Sequence, residues 1–223
     1  MTSDNWFPVF VDADVLASPL TRTVLILAGT HPASVFSPRW SLAVEAEADR
    51  HLRGAQDSLR RLRDRFDWGA EVIVPDGSSA AAMSDTSRKD RAVLDAAAQA
   101  GIGLIVTRNI ADFGPTDLAA LGVAAVHPDL FLSLVMTQGM YRTVLAGIAG
   151  ARQRAPNTPQ TLHAALGAQH PLLFAAMSGA YPGVNAAADG HRPPRWVFRG
   201  PPTRLGGILF DAPDRFGTAW TRP

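Results

Sequence analysis

Short apolar runs suited to strands alternate along this chain with helix-length amphipathic stretches, and that alternation leaves few architectures open. Residues 8–12 (Pro8-Val9-Phe10-Val11-Asp12), 102–107 and 123–126 have the length and apolar content of buried strands, and Glu71-Val72-Ile73-Val74 is a fourth such run. Between them, Ser18-Pro19 reads as a helix N-cap with proline in the first turn, in a helix stopped by Gly29. A second helix is expected from near Ser41 to Phe66, with Ala48, Leu52, Ala55, Leu59, Leu62 and Phe66 on one stripe. A third is expected from between Ser84 and Ser87 to just before Gly101, and a helical turn near Leu118. Strands and helices in this order predict an α/β fold, three layers with a mostly parallel, Rossmann-like sheet, whose ligands bind beyond the carboxyl ends of the strands.

After His127 the pattern is helical, with helices expected at 128–136, 140–153 and 159–177. From Pro182 onward prolines and glycines mix with Trp196, Phe198, Phe210, Phe216 and Trp220, an irregular tail too aromatic to be a plain linker. The organisation expected is therefore a core domain over 1–135, a helical extension packed on it over 136–181, and the tail over 182–223.

Composition removes several classes of function. The 223 residues carry a formal charge of +1, which excludes a protein that coats nucleic acid through bulk positive charge. With no cysteine there is no disulfide, no thiolate zinc site and no cysteine nucleophile, so any metal must be held by oxygen or histidine. No apolar run approaches the roughly 18 residues that span a bilayer, and Met-Thr-Ser-Asp-Asn does not open a secretory leader. A cytoplasmic protein with no membrane partner is expected. Lys89 is the single lysine beside twenty arginines, a bias given little functional weight.

The chemistry-bearing feature is acidic. Val9-Phe10-Val11 delivers Asp12 and Asp14 where a buried strand ends, a costly place for a carboxylate unless it has a partner such as a metal ion. Glu45 with Glu47, then Asp90, then Asp112 follow at other strand ends or helix starts. Taken singly, each suits a helix cap or a solvated surface. Brought together, three or four carboxylates make an oxygen site for Mg²⁺ or Mn²⁺. Asp90 precedes Val93, Leu94 and Ala97 by three, four and seven residues, so a helix would turn it towards the sheet. On the second helix, Glu45 lies about 60° and Glu47 about 100° from the centre of the apolar stripe, so periodicity mildly favours Glu45.

These segments resemble PIN-domain nucleases, specifically the larger bacterial members related to VapC toxins, over roughly residues 8–135 with a looser helical continuation to about 180. Val-Phe-Val-Asp12-Ala-Asp14-Val-Leu is similar to the family's opening strand motif, in which the place of Asp14 is often taken by asparagine. Ser37-Pro38-Arg39-Trp40-Ser41 followed by Glu47 resembles the second motif, and Lys89-Asp90-Arg91-Ala92-Val93-Leu94 the third. Ile105-Val106-Thr107-Arg108-Asn109-Ile110-Ala111-Asp112-Phe113 is the most specific match, ending on the fourth acid.

The resemblance implies a PIN-like fold and a metal-dependent endoribonuclease in which Asp12, Glu47, Asp90 and Asp112 are catalytic and bind Mg²⁺ or Mn²⁺, with Glu45 as the alternate to Glu47. It implies RNA as substrate, a small antitoxin protein as partner and a homodimer. Two other readings stay open: a haloacid-dehalogenase-like phosphatase using Asp12 and Asp14, and a PIN-like binding module without catalysis. Thr107 and Asn109 are expected to hydrogen-bond a ligand carboxylate or phosphate, or to satisfy their loop. Asp85 reads as an N-cap or a support for the acids, and His127 as a turn and helix start outside the site. The arginine face of the second helix reads as solvated. Arg192, Arg195, Arg199 and Arg204 either meet nucleic acid or pack with the tail.

Overall fold

The computed structural model describes residues 7–52, 58–66, 77–78, 82–187 and 198–201. The chain runs β1 (Phe7–Val11), α1 (Ala13–Leu16), α2 (Pro19–Gly29), β2 (Phe36–Arg39), α3 (Leu42–His51) and α4 (Ser58–Phe66). It continues with α5 (Arg91–Gln99), β3 (Leu104–Val106), a 3-10 turn (Ile110–Asp112), α6 (Pro115–Leu121) and β4 (Ala124–Val126). Then follow α7 (Pro128–Val135), α8 (Gln138–Ala151), α9 (Pro159–Gln169), α10 (Pro171–Ala176), a second 3-10 turn (Ser178–Ala180) and β5 (Phe198–Arg199).

Among the described residues, five strands form one sheet in the order β2-β1-β3-β4-β5, parallel except for β5. β1 lies beside β3, pairing Phe10 with Ile105 and Val11 with Val106. Val9, Phe10, Val11, Ile105 and Val106 are fully buried, as only strands covered on both faces can be. The architecture is thus the expected three-layer α/β arrangement. Among the described residues no helix is long and apolar enough to cross a membrane.

Several boundaries differ from the sequence expectation, each for a local reason. β2 is a strand for which the sequence gives no expectation, since Pro38 interrupts it. It is an edge strand, where a proline with no N–H to give is tolerated. Gly29 is the last residue of α2, whose cap is Thr30. A Cβ at Gly29 would lie 2.6 Å from the Pro38 ring, so this glycine serves close packing of helix on strand. The helix expected over 41–66 is two helices, since Leu52 leaves helical geometry at φ −91°, ψ 80°. The helix expected over 159–177 breaks at His170 (φ −135°, ψ 70°), where Pro171 disfavours the helical region for the residue before it. α5 starts at Arg91 and not at 84–87, because the N–H groups of Ser84, Asp85 and Thr86 are bound to the Asp117 carboxylate. Part of the tail is not irregular, since β5 joins the sheet; the run Glu71–Val74 and most of 188–223 lie outside the described residues.

Helices α8 and α9 pack on each other, α8 on α2, and α10 on α7. Buried Asp129 in the first turn of α7 accepts hydrogen bonds from the N–H groups of Leu172 (3.1 Å) and Leu173 (2.8 Å), which open α10. Burial pushes its carboxyl up to about 6. Asp129→Ala strands two backbone donors in a dry interface and is expected to cost about 1–3 kcal/mol. A lower urea midpoint at unchanged slope is the corresponding readout.

Candidate functional site

The carboxyl end of the sheet collects the acids. Asp12 follows β1 directly, its N–H still in the ladder on Val106 O at 3.0 Å, and its extended backbone caps α1. One carboxylate oxygen accepts from Ala13 N–H (2.7 Å) and the other from the Thr107 hydroxyl (2.8 Å). Thr107 follows β3, so neighbouring parallel strands place donor and acceptor side by side. Asp14, in the first turn of α1, accepts from Arg108 N–H at 3.0 Å, while its Oδ1 is buried without a hydrogen-bond partner among the described residues.

Asp90 stands at the N-cap of α5 and accepts a short hydrogen bond from the Ser87 hydroxyl. Asp112 closes the 3-10 turn after β3, exposed at the surface. Two chain segments hold these acids in register. Asp117, near the start of α6, accepts from the N–H groups of Thr86 (2.6 Å), Asp85 (3.0 Å) and Ser84 (3.2 Å). In return Asp85 accepts from Thr116 N–H (3.1 Å), Thr86 Oγ1 accepts from Gly114 N–H (3.1 Å), and Ser87 N–H donates to Asp112 O (2.8 Å). Gly114 permits this interlock, because a Cβ there would fall 2.4 Å from Asp85 atoms. Asp85 therefore caps α6 across the loop and not its own helix. Burial works against ionisation of Asp117, but the three N–H donors outweigh it and hold its carboxyl below the ordinary value.

Glu45 and Glu47, two residues apart on α3, have different fates. Glu45 is buried, as the helical stripe requires, and its Oε2 accepts from Arg63 (2.8 Å) and the Trp40 indole N–H (3.1 Å). Glu47 lies 2.6 Å from the ammonium of Lys89. It is Glu47 that faces the other acids electrostatically.

Burial is the main cause that lifts the Asp12 carboxyl to about 6; Thr107 and Ala13 oppose it, while the charges of Asp90 and Glu47 add to it. Asp14 rises to about 7, through burial and then the charge of Asp12. Asp90 is raised by burial and by Asp112 and Glu47, against the Ser87 hydrogen bond and Lys89. Lys89 is held protonated above its ordinary value by Glu47, with smaller contributions from Asp90 and Asp12. The fold thus brings Asp12, Glu47 and Asp90 within mutual influence, and Asp112 reaches the group through Asp90.

Their donor chemistry suits a hard divalent cation: all the donors are carboxylate oxygens, and they raise one another's affinity for positive charge. As they stand, no group of three or more His, Asp or Glu side chains among the described residues is in a metal-holding arrangement. Lys89 engages Glu47, Ser87 engages Asp90, and Thr107 and Ala13 engage Asp12, so a cation would have to draw Glu47 off the lysine. His127 belongs elsewhere: its Nδ1 accepts from Asp129 N–H at 3.2 Å as the cap of α7, and burial lowers its ring to about 4.

Sequence reasoning gave Lys89, Ser87 and Asp117 no role at the site. The signals were present: a unique lysine next to an acid, a serine three residues before that acid, and an acid in the first turn of a Pro-led helix. What sequence lacks is the distant partner of each.

Against known proteins, the chain is 35% identical over 142 residues to the Mycobacterium tuberculosis protein named "Putative ribonuclease VapC50", an overlap of 59% of this chain and 83% of that protein. No family model matches the chain. No solved structure matches it. With that identity spread over more than four-fifths of the relative's length, and with a three-layer α/β sheet, the chain belongs to the VapC-like PIN-domain family.

Proposed function

We propose that the protein is a metal-dependent endoribonuclease that hydrolyses RNA phosphodiester bonds, the toxin of a toxin–antitoxin pair with a small antitoxin as partner. The observation that carries this reading is that Asp12 follows β1 at the carboxyl edge of the parallel sheet while Ser87 joins Asp90 to the Asp112 turn through its hydroxyl and its N–H, and Asp90 and Glu47 add to the charge that Asp12 feels. The name ribonuclease on the Mycobacterium tuberculosis relative supports the substrate class. Asp12, Glu47, Asp90 and Asp112 would hold Mg²⁺ or Mn²⁺, which supplies an activated water and neutralises charge on the phosphate. Thr107 orients Asp12 and Ser87 orients Asp90, so two of the acids are fixed before any ligand arrives. Burial of Asp12 beside like charges makes the site favour cations over bulk solvent.

In this reading residues 1–135 form the nuclease domain, 136–181 pack on it as an extension, and the protein works as a homodimer. The phosphatase alternative is less well supported: Thr107 does meet Asp12 and Asp14, but the chain's single lysine pairs with Glu47. Purified protein is expected to cleave single-stranded RNA with Mg²⁺ or Mn²⁺ and to lose that activity in EDTA. Cleavage that persists unchanged after exhaustive chelation would overturn the metal dependence. Rapid phosphomonoester hydrolysis with no RNA cleavage would favour the phosphatase.

A further inference from the structure

We propose that Arg199, delivered by the C-terminal strand β5, is a positioning residue for Asp112, so that a segment beyond the helical extension completes the acidic site. This rests on the reading of Asp112 as a member of that site. β5 pairs antiparallel with β4, setting Arg199 opposite Ala125 and Phe198 opposite Val126. From there the Arg199 guanidinium donates through Nη1 to Phe113 O at 3.0 Å and to Ala111 O at 3.4 Å. These two carbonyls bracket Asp112. The carbonyl between them, that of Asp112 itself, accepts from Ser87 N–H at 2.8 Å.

Three consecutive carbonyls, those of exposed Ala111 and Asp112 at the end of the 3-10 turn and of buried Phe113 just after it, are therefore held by two other parts of the chain. Ser87 grips one side and also orients Asp90; Arg199 grips the other. A short turn of this kind has few internal hydrogen bonds, so its conformation depends on what grips it from outside. The approach of β5 is itself fixed by backbone fit. Gly200 takes φ +119°, a left-handed conformation, and a Cβ there would lie 2.8 Å from Ala124 Cα and 2.9 Å from Val123 O. Phe198 packs against the core beside it. Both bonds leave the single nitrogen Nη1, whose two hydrogens serve the two carbonyls from a planar, always-charged group.

The test compares Arg199→Met, Arg199→Lys and Asp112→Asn in the full chain, with amide hydrogen exchange, Mn²⁺ calorimetry and RNA cleavage as readouts. Arg199→Met is expected to speed exchange at residues 110–114 by about tenfold or more. It should also weaken Mn²⁺ binding and lower kcat by about tenfold, with KM for RNA within twofold. Arg199→Lys should recover part of each loss. Adding Arg199→Met to Asp112→Asn should lower kcat no further, since both act through one group. Unchanged exchange at 110–114 in Arg199→Met overturns the proposal whether or not the protein cleaves RNA. A raised KM at unchanged kcat also overturns it and makes Arg199 an RNA contact. If Asp112→Asn alone leaves Mn²⁺ binding and cleavage intact while exchange responds to Arg199, the clamp stands and the assignment of Asp112 to the site fails.

Discussion

Asp12→Asn is expected to lower RNA cleavage by at least about 100-fold while leaving the metal-free protein folded and no less stable at pH 7. The direction follows from the way the fold treats this carboxyl. Burial first, and then Asp90 and Glu47, raise it from 3.8 to about 6 against the hydrogen bonds from Thr107 and Ala13. Between those two values the folded protein holds a proton that the unfolded chain releases, so stability falls as pH climbs from about 4 to about 6 and stays lowered above. Asparagine keeps the shape and an acceptor oxygen but has no charge to bury. Its advantage should be near zero at pH 4 and reach about 1–3 kcal/mol by pH 7, with relief of Asp14 included. Urea midpoints in EDTA at the two pH values measure it. Excess Mg²⁺ should reverse the order, because a ligand bound only by the folded protein stabilises it through mass action, and the variant has lost a ligand oxygen. A variant much less stable than wild type in EDTA at pH 7 would make Asp12 a structural cap of α1.

The part of this site legible in sequence was the part encoded by local pattern. Val9-Phe10-Val11 and Ile105-Val106 are apolar throughout, so both had to be buried parallel strands, and acids or hydroxyls just past them had to meet at the carboxyl edge. Asp90 was placed by its spacing to Val93 and Leu94, and it does stand at the head of α5. Features that depend on distant partners were not legible. The late start of α5 comes from Asp117, some thirty residues on, taking the N–H groups of 84–86. β2 was hidden by Pro38, whose lost hydrogen bond is harmless only because the strand proved to be an edge. β5 is two residues long and exists because Gly200 fits against Ala124, which no periodicity reveals. Periodicity favoured Glu45, and Glu45 is the more buried of the pair; the charge that reaches Asp12 and Asp90 comes from Glu47.

Glu47→Gln and Glu45→Gln are accordingly expected to fail in opposite ways. The Glu47 carboxylate is part-exposed, engages the mostly exposed Lys89, and adds to the charge felt by Asp12 and Asp90. Its removal gives up a surface ion pair worth under about 1 kcal/mol, so the fold should hold. The site loses a ligand charge, and Mn²⁺ affinity and kcat should fall by about 10–100-fold, the range for a disturbed metal shell. Glu45 is only 8% exposed in its side chain, and Gln in its place leaves the Arg63 guanidinium, itself 19% exposed, with only the longer, solvent-exposed contact to Asp64 at 3.7 Å. Breaking a largely buried pair on one side is costly, here about 1–3 kcal/mol, while the Trp40 indole can still find an amide oxygen. Glu45→Gln should therefore melt earlier but cleave RNA at near wild-type kcat wherever it is folded. Thermal melts, Mn²⁺ calorimetry and single-turnover cleavage on the two variants separate the roles. A silent Glu47→Gln beside an inactive, well-folded Glu45→Gln would exchange the two assignments and return the site to the residue that periodicity favoured.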